Sequence, residues 1–290
     1  NNMVLLKLAE LVRNNSWLQR RILLRTFLLR IFRASIGCTT LGKGTRKMIG
    51  TSGEFFLDPA FYFSDFSTWG TKHNSGFSVA INMSKGKNIF FDVGAHIGLY
   101  SLPAAHRLGT QGMVFAFEAA TENIRYLASH KKRNSISNIT IIPALVGSTN
   151  ESEVAFFESS GTSGMNSITE PRKRKDLYHK VFKNQISLDS FSAEQQLIPD
   201  IIKIDVEGAE GNVLRGSANI LSLHRPIIFL SLHPRHLEAL GESAADIEHL
   251  LATHNYELLE MNGTKPTQLR LEEYLGYPIE RKDEVIPYLY

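Results

Sequence analysis

The strongest constraint on the fold is a regular alternation of apolar, strand-like runs with helical stretches between Asn88 and Glu260. Short apolar runs bounded by Gly, Pro or Asp predict buried strands, and the amphipathic stretches between them predict helices. The predicted strands are 88–93, 112–118, 139–146, 199–206, 226–232 and 256–260, and the predicted helices are 99–108, 121–132, 210–214 and 244–253. This order is typical of βαβ units, so we predict an α/β protein with a parallel sheet and helices on both faces.

The 290-residue chain is long enough for this sheet domain and shorter flanking segments. We predict a basic helical segment at 1–36, a turn-rich β/helical appendage at 37–87, the sheet domain at 88–262 and a C-terminal extension at 263–290. A net charge of +3 does not point to nucleic-acid binding. A single cysteine excludes a disulfide within the chain and a zinc site built on several thiolates.

The first segment combines helical periodicity with a concentration of arginines. Residues 20–33 carry five arginines and no acidic residue. An arginine-rich amphipathic helix can lie on an anionic membrane surface. A helix packed on the main domain with its arginines in water, or a targeting segment, would give the same pattern. No run reaches the roughly 18 apolar residues of a spanning helix, so we expect a cytoplasmic protein, with peripheral contact to the inner membrane face as an alternative.

The loop after the first predicted strand is the first candidate for ligand binding. Ligands of such sheets lie at the carboxyl ends of the strands, where the strand order reverses. Residues 92–98 read DVGAHIG, and Gly94 and Gly98 allow a tight turn and a close approach to a ligand. The pattern is not Gly-x-Gly-x-x-Gly, so it does not favour a dinucleotide.

An acidic residue follows the second predicted strand. Glu118 lies 20 residues after Gly98, where a carboxylate can bind ribose hydroxyls. The loop and this acid together predict a nucleoside ligand without a pyrophosphate, and S-adenosylmethionine is the leading candidate. A turn-capping role for Asp92 and a solvated strand end at Glu118 are the structural alternatives. The residues expected to hold the cofactor are Asp92, Gly94, Ala95, His96, Gly98, Glu118 and Ala144.

Two motifs resemble those of the FkbM-type S-adenosylmethionine-dependent methyltransferases. Residues 91–100, FDVGAHIGLY, are similar to motif I of that family, and residues 202–210, IKIDVEGAE, are nearly its most distinctive stretch. Residues 187–191 and 225–228 match two shorter family elements. The resemblance covers roughly residues 88–261. It implies a class I methyltransferase fold, with a Rossmann-like sheet of the seven-strand type and S-adenosylmethionine as cofactor.

Three positions depart from the family's usual pattern. His96 stands where Asn is usual, Ala119 stands where Pro is usual after Glu118, and Ser231 stands where Glu is usual. The loop glycines remain, so cofactor binding is still expected. Ser231 removes a carboxylate from the fifth predicted strand and with it one candidate for activating the acceptor.

Ionisable residues that follow the fourth and fifth predicted strands are the candidates for chemistry. Lys203, Asp205 and Glu207 alternate, so they are expected on one side of the sheet. Charges on a central strand are costly unless they are paired or functional, and an ion-pair network is the structural alternative. Methyl transfer to a hydroxyl requires a proton acceptor, unless alignment alone suffices. We predict Asp205, Glu207 and His233 as the catalytic residues.

Substrate contacts are expected from Lys203 and from Asn166 and Ser167 in a polar insertion. The basic run 172–175 suits an anionic acceptor or a solvated loop. The family resemblance implies O-methylation of a sugar, glycolipid or other small molecule. The base-methylating Asn/Asp-Pro-Pro-Tyr/Phe loop is absent after the fourth strand, so a nucleic-acid substrate is a minor alternative. A non-catalytic nucleoside-binding or membrane-recruitment module is the rival hypothesis. No His-x-His or His-x-x-x-His pair occurs, so no metal site is predicted.

Overall fold

The computed structural model describes residues 43–159 and 177–289. Outside these ranges it describes only positions 10, 24, 27, 28, 30–32, 34, 35, 161, 162, 164 and 166–168. Most of the predicted basic segment 1–36 and all of the basic run 172–175 therefore lie outside the described residues. None of the described helices is long and apolar enough to cross a bilayer.

The strands that the sequence predicts are present, together with others that it does not predict. The strands are β1 (Thr45–Met48), β2 (Glu54–Leu57), β3 (Ile89–Val93), β4 (Met113–Phe117), β5 (Ile139–Ile142), β6 (Leu145–Val146), β7 (Glu151–Ser159), β8 (Tyr178–Ile186), β9 (Ile201–Ile204), β10 (Ile227–Leu232), β11 (Tyr256–Leu259) and β12 (Glu272–Pro278). The helices are α1 (Phe77–Met83), α2 (Ser101–Leu108), α3 (Thr121–Arg133), α4 (Leu188–Gln195), α5 (Glu210–Arg215), α6 (Pro234–Ala239), α7 (Ala244–Thr253) and α8 (Lys282–Val285).

The main sheet has seven strands in the order β11-β12-β10-β9-β3-β4-β5. Strands β3, β4, β5, β9 and β10 run parallel, whereas β12 is antiparallel to both of its neighbours. From β3 the chain proceeds to β4 and β5 on one side and later returns to β9 and β10 on the other. The strand order therefore reverses between β3 and β9, and the crevice at their carboxyl ends is the expected ligand site. The predicted α/β fold class is confirmed.

The central strands are buried on both faces, which explains why their sequences are mostly apolar. Neighbouring residues point to opposite sides, so Phe90 packs in one apolar cluster and Phe91 in the other. Both phenylalanines are fully buried. Helices therefore cover both faces of the sheet, and its carboxyl edge is left for polar groups.

The third predicted strand, 139–146, is in fact two strands. Pro143 stands between β5 and β6, where a residue without a backbone N–H cannot continue the ladder. β5 stays in the main sheet, and β6 joins a second sheet with the order β6-β8-β7. The polar insertion thus contains a long antiparallel hairpin, β7–β8, which the sequence did not predict because much of its surface is exposed.

The predicted domain boundary at 262 is wrong for the sheet. Strand β12 belongs to the predicted C-terminal extension 263–290, yet it pairs with both β10 and β11 inside the seven-stranded sheet. Apolar residues of this strand, among them Tyr274, Leu275 and Tyr277, are fully buried. The extension is therefore part of the main core.

The predicted appendage 37–87 also packs on the main domain. Phe55, Leu57 and Phe77 lie in the same apolar cluster as residues of α2. His130 of α3 bridges the two parts, because its Nδ1 lies 2.9 Å from the carbonyl oxygen of Ile97 and its Nε2 accepts a 2.9 Å hydrogen bond from the backbone of Asp58. Burial lowers the pKa of His130 to about 4, so the ring is neutral at pH 7, as this bridge requires.

Candidate active site

A cavity of about 240 Å³ opens at the carboxyl ends of β3, β4 and β9. Its position is the one that the strand order predicts. The predicted site residues that line it are Gly94, Ala95, His96, Glu118, Ala144, Asn166, Ser167, Lys203, Asp205 and Glu207. Asp92, Gly98 and His233 are not among its lining residues. The sequence did not single out Trp69, Asn74, Tyr100 and Asn123, which also line it.

The two loop glycines are required by the chain's own packing. Gly94 has φ +77°, and a Cβ there would lie 1.8 Å from the carbonyl oxygen of Asp205. Gly98 has φ +92°, and a Cβ there would lie 2.4 Å from Cδ1 of Leu127 in α3. The sequence interpretation assigned this space to a ligand, but backbone and side-chain atoms of the protein already occupy it.

Asp92 and Lys203 form a buried pair beneath the cavity. Asp92 is fully buried, and it accepts a 2.5 Å hydrogen bond from the hydroxyl of Ser101. Lys203 Nζ lies 3.3 Å from Asp92 Oδ1 and donates to the carbonyl oxygen of Gly94 at 2.8 Å. Burial alone would lower the pKa of Lys203, but the carboxylates of Asp92 and Asp205 outweigh it and raise the pKa. Asp92 therefore holds Lys203 and, through it, the loop, while cofactor binding by Asp92 stays a prediction.

Glu118 lies at the end of β4 with its carboxylate toward the glycine loop. Its two oxygens accept hydrogen bonds from the backbone of His96 at 2.7 Å and of Ala120 at 2.8 Å. Burial raises the pKa of Glu118 to about 7, although these hydrogen bonds and the charge of Lys203 oppose the shift. Each carboxylate oxygen can accept a second hydrogen bond, so Glu118 can still bind a ligand hydroxyl.

His96 presents a buried nitrogen without a partner. Its backbone is left-handed, with φ +52°, and its Nε2 has no hydrogen-bond partner in the part of the chain that the structure describes. Burial, helped by the charge of Lys203, lowers the pKa of His96 to about 4, so the imidazole is neutral at pH 7. A buried polar atom without a partner is costly, and a polar ligand in the cavity would relieve that cost.

The three predicted catalytic side chains meet at the edge of the cavity. Asp205 and Glu207 follow β9, and His233 follows β10, the strand that pairs with β9. His233 Nε2 lies 3.7 Å from Asp205 Oδ1 and 3.7 Å from Glu207 Oε2. We call these three residues the edge cluster. Sequence spacing did not indicate it as a metal site, because its members meet only through the pairing of two strand ends.

A fourth residue, Glu210, fixes the histidine of the edge cluster. Glu210 is fully buried, and its Oε1 lies 2.7 Å from His233 Nδ1. The sequence interpretation treated Glu210 as a first-turn acid favoured by the dipole of its helix. It does lie in the first turn of α5, but its burial against His233 makes it the anchor of that side chain.

The carboxylates around His233 stabilise its protonated form. Burial alone would lower the pKa of His233, but the hydrogen bond with Glu210 and the charges of Glu207 and Asp205 outweigh it and raise the pKa to about 9. Burial raises the pKa of Glu207 to about 7, against the opposing effect of His233. Glu207 has φ +53°, a left-handed conformation that costs a residue with a side chain roughly 1–2 kcal/mol.

The hairpin β7–β8 and the segment after β7 form one wall of the cavity. Asn166 accepts a 2.9 Å hydrogen bond from the backbone of Ser159, and the backbone of Ser167 pairs with that of Phe157. Glu158 accepts a 3.0 Å hydrogen bond from the backbone N–H of Thr121, at the start of α3. The predicted substrate contacts Asn166 and Ser167 therefore lie on the wall, and these bonds hold them in place.

A buried carboxylate lies on the strand next to Ser231. Glu273 of β12 is directly opposite Ser231 of β10 in the antiparallel pair, and directly opposed residues share a face of the sheet. Glu273 is buried and accepts hydrogen bonds from the hydroxyl of Tyr100 at 2.8 Å and from the backbone of Gly76 at 2.6 Å. Sequence reasoning missed Glu273 because it did not predict β12.

Comparison with known families decides the assignment. The sequence model described as "Methyltransferase FkbM domain" matches residues 92–258, more than half of the chain. The chain belongs to the FkbM methyltransferase family. The resemblance seen in the sequence motifs is thus confirmed. No match is found among curated protein sequences.

Several solved structures are similar to this FkbM-family chain. The methyltransferase FkbM of Methylobacillus flagellatus KT is 20% identical, with a TM-score of 0.44; the alignment covers 67% of this chain and 44% of that protein. A SAM-dependent methyltransferase of Aquifex aeolicus is 12% identical, with coverages of 76% and 97% and a TM-score of 0.40. The precorrin-6y C5,15-methyltransferase of Geobacter metallireducens GS-15 is 13% identical, with coverages of 71% and 87% and a TM-score of 0.40. The chain thus spans less than half of the first of these proteins.

The cavity of this FkbM-family chain has features that fit a nucleoside such as that of S-adenosylmethionine. The cavity joins the glycine loop, a buried carboxylate at Glu118 and the unpartnered Nε2 of His96. These groups can accept hydrogen bonds from the hydroxyl and amino groups of a nucleoside. Apolar residues Val93, Phe117 and Ala144 also line the cavity and can contact a flat base.

We expect the cofactor affinity to depend on pH through Glu118. Its pKa of about 7 means that it gains a proton below pH 7, and a protonated carboxyl is a poorer acceptor for ribose hydroxyls. The affinity for S-adenosylhomocysteine should therefore fall as the pH is lowered from 7, by up to about tenfold per pH unit. Calorimetric titration at several pH values measures this. A Glu118→Gln variant should bind more weakly and lack this dependence; a parallel decline in both proteins would contradict the role of Glu118.

Proposed function

We propose that this FkbM-family chain transfers the methyl group of S-adenosylmethionine to a hydroxyl oxygen of a sugar, a glycolipid or another small-molecule acceptor. The observation that carries the proposal is the edge cluster, which places carboxylates of Asp205 and Glu207 in the cavity wall and His233 behind them. A hydroxyl must lose its proton as it attacks the methyl carbon, and a carboxylate can accept that proton.

The proposed division of labour follows the position of each group. Glu118 and His96 bind the nucleoside at the glycine loop, on the β3–β4 side of the cavity. Asp205 and Glu207 face the acceptor from the β9 side, and Asn166 and Ser167 offer hydrogen-bonding groups on the hairpin wall. S-adenosylmethionine, when bound, supplies the electrophilic methyl group. Holding both reactants in line within a partly enclosed cavity lowers the entropic part of the barrier.

Methyl transfer from labelled cofactor tests the proposal. The enzyme is incubated with methyl-labelled S-adenosylmethionine and a panel of sugars, glycolipids and polar extracts, and each labelled product is analysed by mass spectrometry and NMR. We expect a methyl ether on a hydroxylated acceptor, formed about 10²–10⁴-fold more slowly by a Glu207→Gln variant. Label on nitrogen or carbon would contradict O-methylation. Cofactor binding without turnover on any acceptor would favour a non-catalytic binding module.

We further propose that the arginine-rich residues 20–33 bring the enzyme to an anionic membrane surface, where a glycolipid acceptor would be presented. Each arginine near such a surface contributes about 1 kcal/mol at low salt. We expect the full chain to bind vesicles that contain anionic lipid in a co-sedimentation assay and to be released by salt. A full chain with Arg20, Arg21, Arg25, Arg30 and Arg33 changed to glutamine should stay in the supernatant. Equal binding of both chains would contradict this role.

A further inference from the structure

We infer that the edge cluster of Asp205, Glu207 and His233 binds a divalent first-row metal ion at the acceptor end of the cavity. One ligand atom from each residue lies within 4.8 Å of the other two, and both carboxylates are 3.7 Å from His233 Nε2. Ligand atoms that each lie about 2.1 Å from one ion are roughly 3–4 Å apart. Small side-chain movements would therefore complete the coordination.

The support behind His233 is the arrangement that metal-binding histidines use. Glu210 Oε1 lies 2.7 Å from His233 Nδ1, so that nitrogen donates to Glu210 while Nε2 faces the two carboxylates. An ion bound there would displace the proton on Nε2. A carboxylate behind the ring fixes its orientation and increases the basicity of the ligating nitrogen. The other oxygen of Glu210 is buried and has no hydrogen-bond partner among the described residues. The cost of burying this carboxylate is therefore only partly offset by hydrogen bonds.

The charges around the cluster also favour a cation. Asp205, Glu207 and Glu210 bring three carboxylates close to His233, and Nδ1 of a second histidine, His236, lies 3.0 Å from Glu207. Lys203 lies 3.3 Å from the buried carboxylate of Asp92 and 3.7 Å from Asp205, so its single charge is divided between two carboxylates. One imidazole and two carboxylates form a mixed nitrogen and oxygen set, which suits ions such as Mn²⁺, Fe²⁺, Co²⁺ or Zn²⁺ better than Ca²⁺.

The position of the ion would serve the proposed methyl transfer. Asp205 and Glu207 line the cavity, so an ion held there leaves coordination positions that face the acceptor. A coordinated hydroxyl has a lowered pKa and a fixed orientation. The inference therefore refines the acceptor side of the proposed function, but ion binding itself is measurable without cofactor or acceptor.

Titration with Mn²⁺ tests the inference independently of activity. The full chain is treated with a chelator, desalted and titrated with Mn²⁺, and the free ion is followed by electron paramagnetic resonance. We expect one bound Mn²⁺ per chain, displaced by Co²⁺ or Zn²⁺. His233→Gln and Glu207→Gln should abolish the binding. Glu210→Gln, which removes only the support of His233, should weaken it by about 10–100-fold.

Two controls separate the site from unspecific binding and from misfolding. Glu242→Gln removes a carboxylate of similar exposure that pairs with Arg215 outside the cavity, and it should bind Mn²⁺ as the unaltered chain does. Circular dichroism establishes whether each variant is folded. Asp205→Asn, at the most exposed of the three positions, is used in place of any variant that does not fold. No Mn²⁺ binding at millimolar concentration, or binding that survives in His233→Gln and Glu207→Gln, would overturn the inference. Methyl transfer without Mn²⁺ binding would leave the proposed function intact.

Discussion

Gly94→Ala is expected to abolish cofactor binding and to destabilise the protein by about 2–5 kcal/mol. The left-handed backbone costs about 1–2 kcal/mol once a side chain is present, and forcing atoms into a packed site costs about 1–3 kcal/mol more. The new Cβ would lie 1.8 Å from the carbonyl oxygen of Asp205. Because that clash is with backbone, both the glycine loop and the end of β9 must shift. Chemical denaturation and calorimetric titration with S-adenosylhomocysteine measure the two effects.

Gly86→Ala is the matched control for this change. Gly86 has nearly the same φ, +76°, but a Cβ there would meet nothing within 4 Å. Gly86→Ala should lower the stability only by the cost of the left-handed backbone, about 1–2 kcal/mol. It should bind the cofactor normally. If Gly94→Ala were no less stable than Gly86→Ala and bound the cofactor equally well, the close contact between the β3 loop and β9 would be wrong.

Asp205→Asn and Glu207→Gln are each expected to lower kcat by about 10²–10⁴-fold while the cofactor affinity stays nearly unchanged. The amides keep the shape of the side chains, but they lose the negative charge and the ability to accept a proton. Both residues face the acceptor side of the cavity, whereas the groups expected to hold the nucleoside lie at the glycine loop. Single-turnover methyl transfer and cofactor titration on the same preparations measure the two quantities.

A structural role for the same carboxylates predicts a different result. Asp205 lies 3.7 Å from both Lys203 and His233, so loss of these ion pairs alone would lower the melting temperature and leave turnover near normal in the folded variant. Glu242→Gln controls for the loss of a carboxylate of similar exposure, since the Glu242 side chain is 18% exposed and that of Glu207 is 16%. Full turnover in both cavity variants would exclude the two carboxylates from the chemistry.

The sequence predicted the fold where strands are buried on both faces. Runs such as those of β3, β9 and β10 are apolar at all but one position each, because both faces of the sheet are covered. The end of the run at 139–146 was misread, since Pro143 redirects the chain into the second sheet. Strands β7 and β8 have exposed surface, so their pattern carries little apolar signal.

The candidate site was predictable only where its residues follow strands in sequence. The carboxyl edge of a parallel sheet gathers the residues that come after each strand, and so Glu118, Asp205 and Glu207 were identified from the chain alone. Glu210 and Glu273 were not, because their roles depend on burial and on partners 23 and 173 residues away. The cross-strand pairing of Ser231 with Glu273 can be recognised only once the register of β12 is known.

A crystal structure with bound S-adenosylhomocysteine is the most direct test of the cofactor site and its orientation. The account predicts the nucleoside in the cavity at the carboxyl ends of β3 and β4, with ribose hydroxyls within hydrogen-bond distance of Glu118 and the sulfur facing Asp205 and Glu207. A nucleoside bound elsewhere, or a sulfur turned away from these two carboxylates, would contradict it.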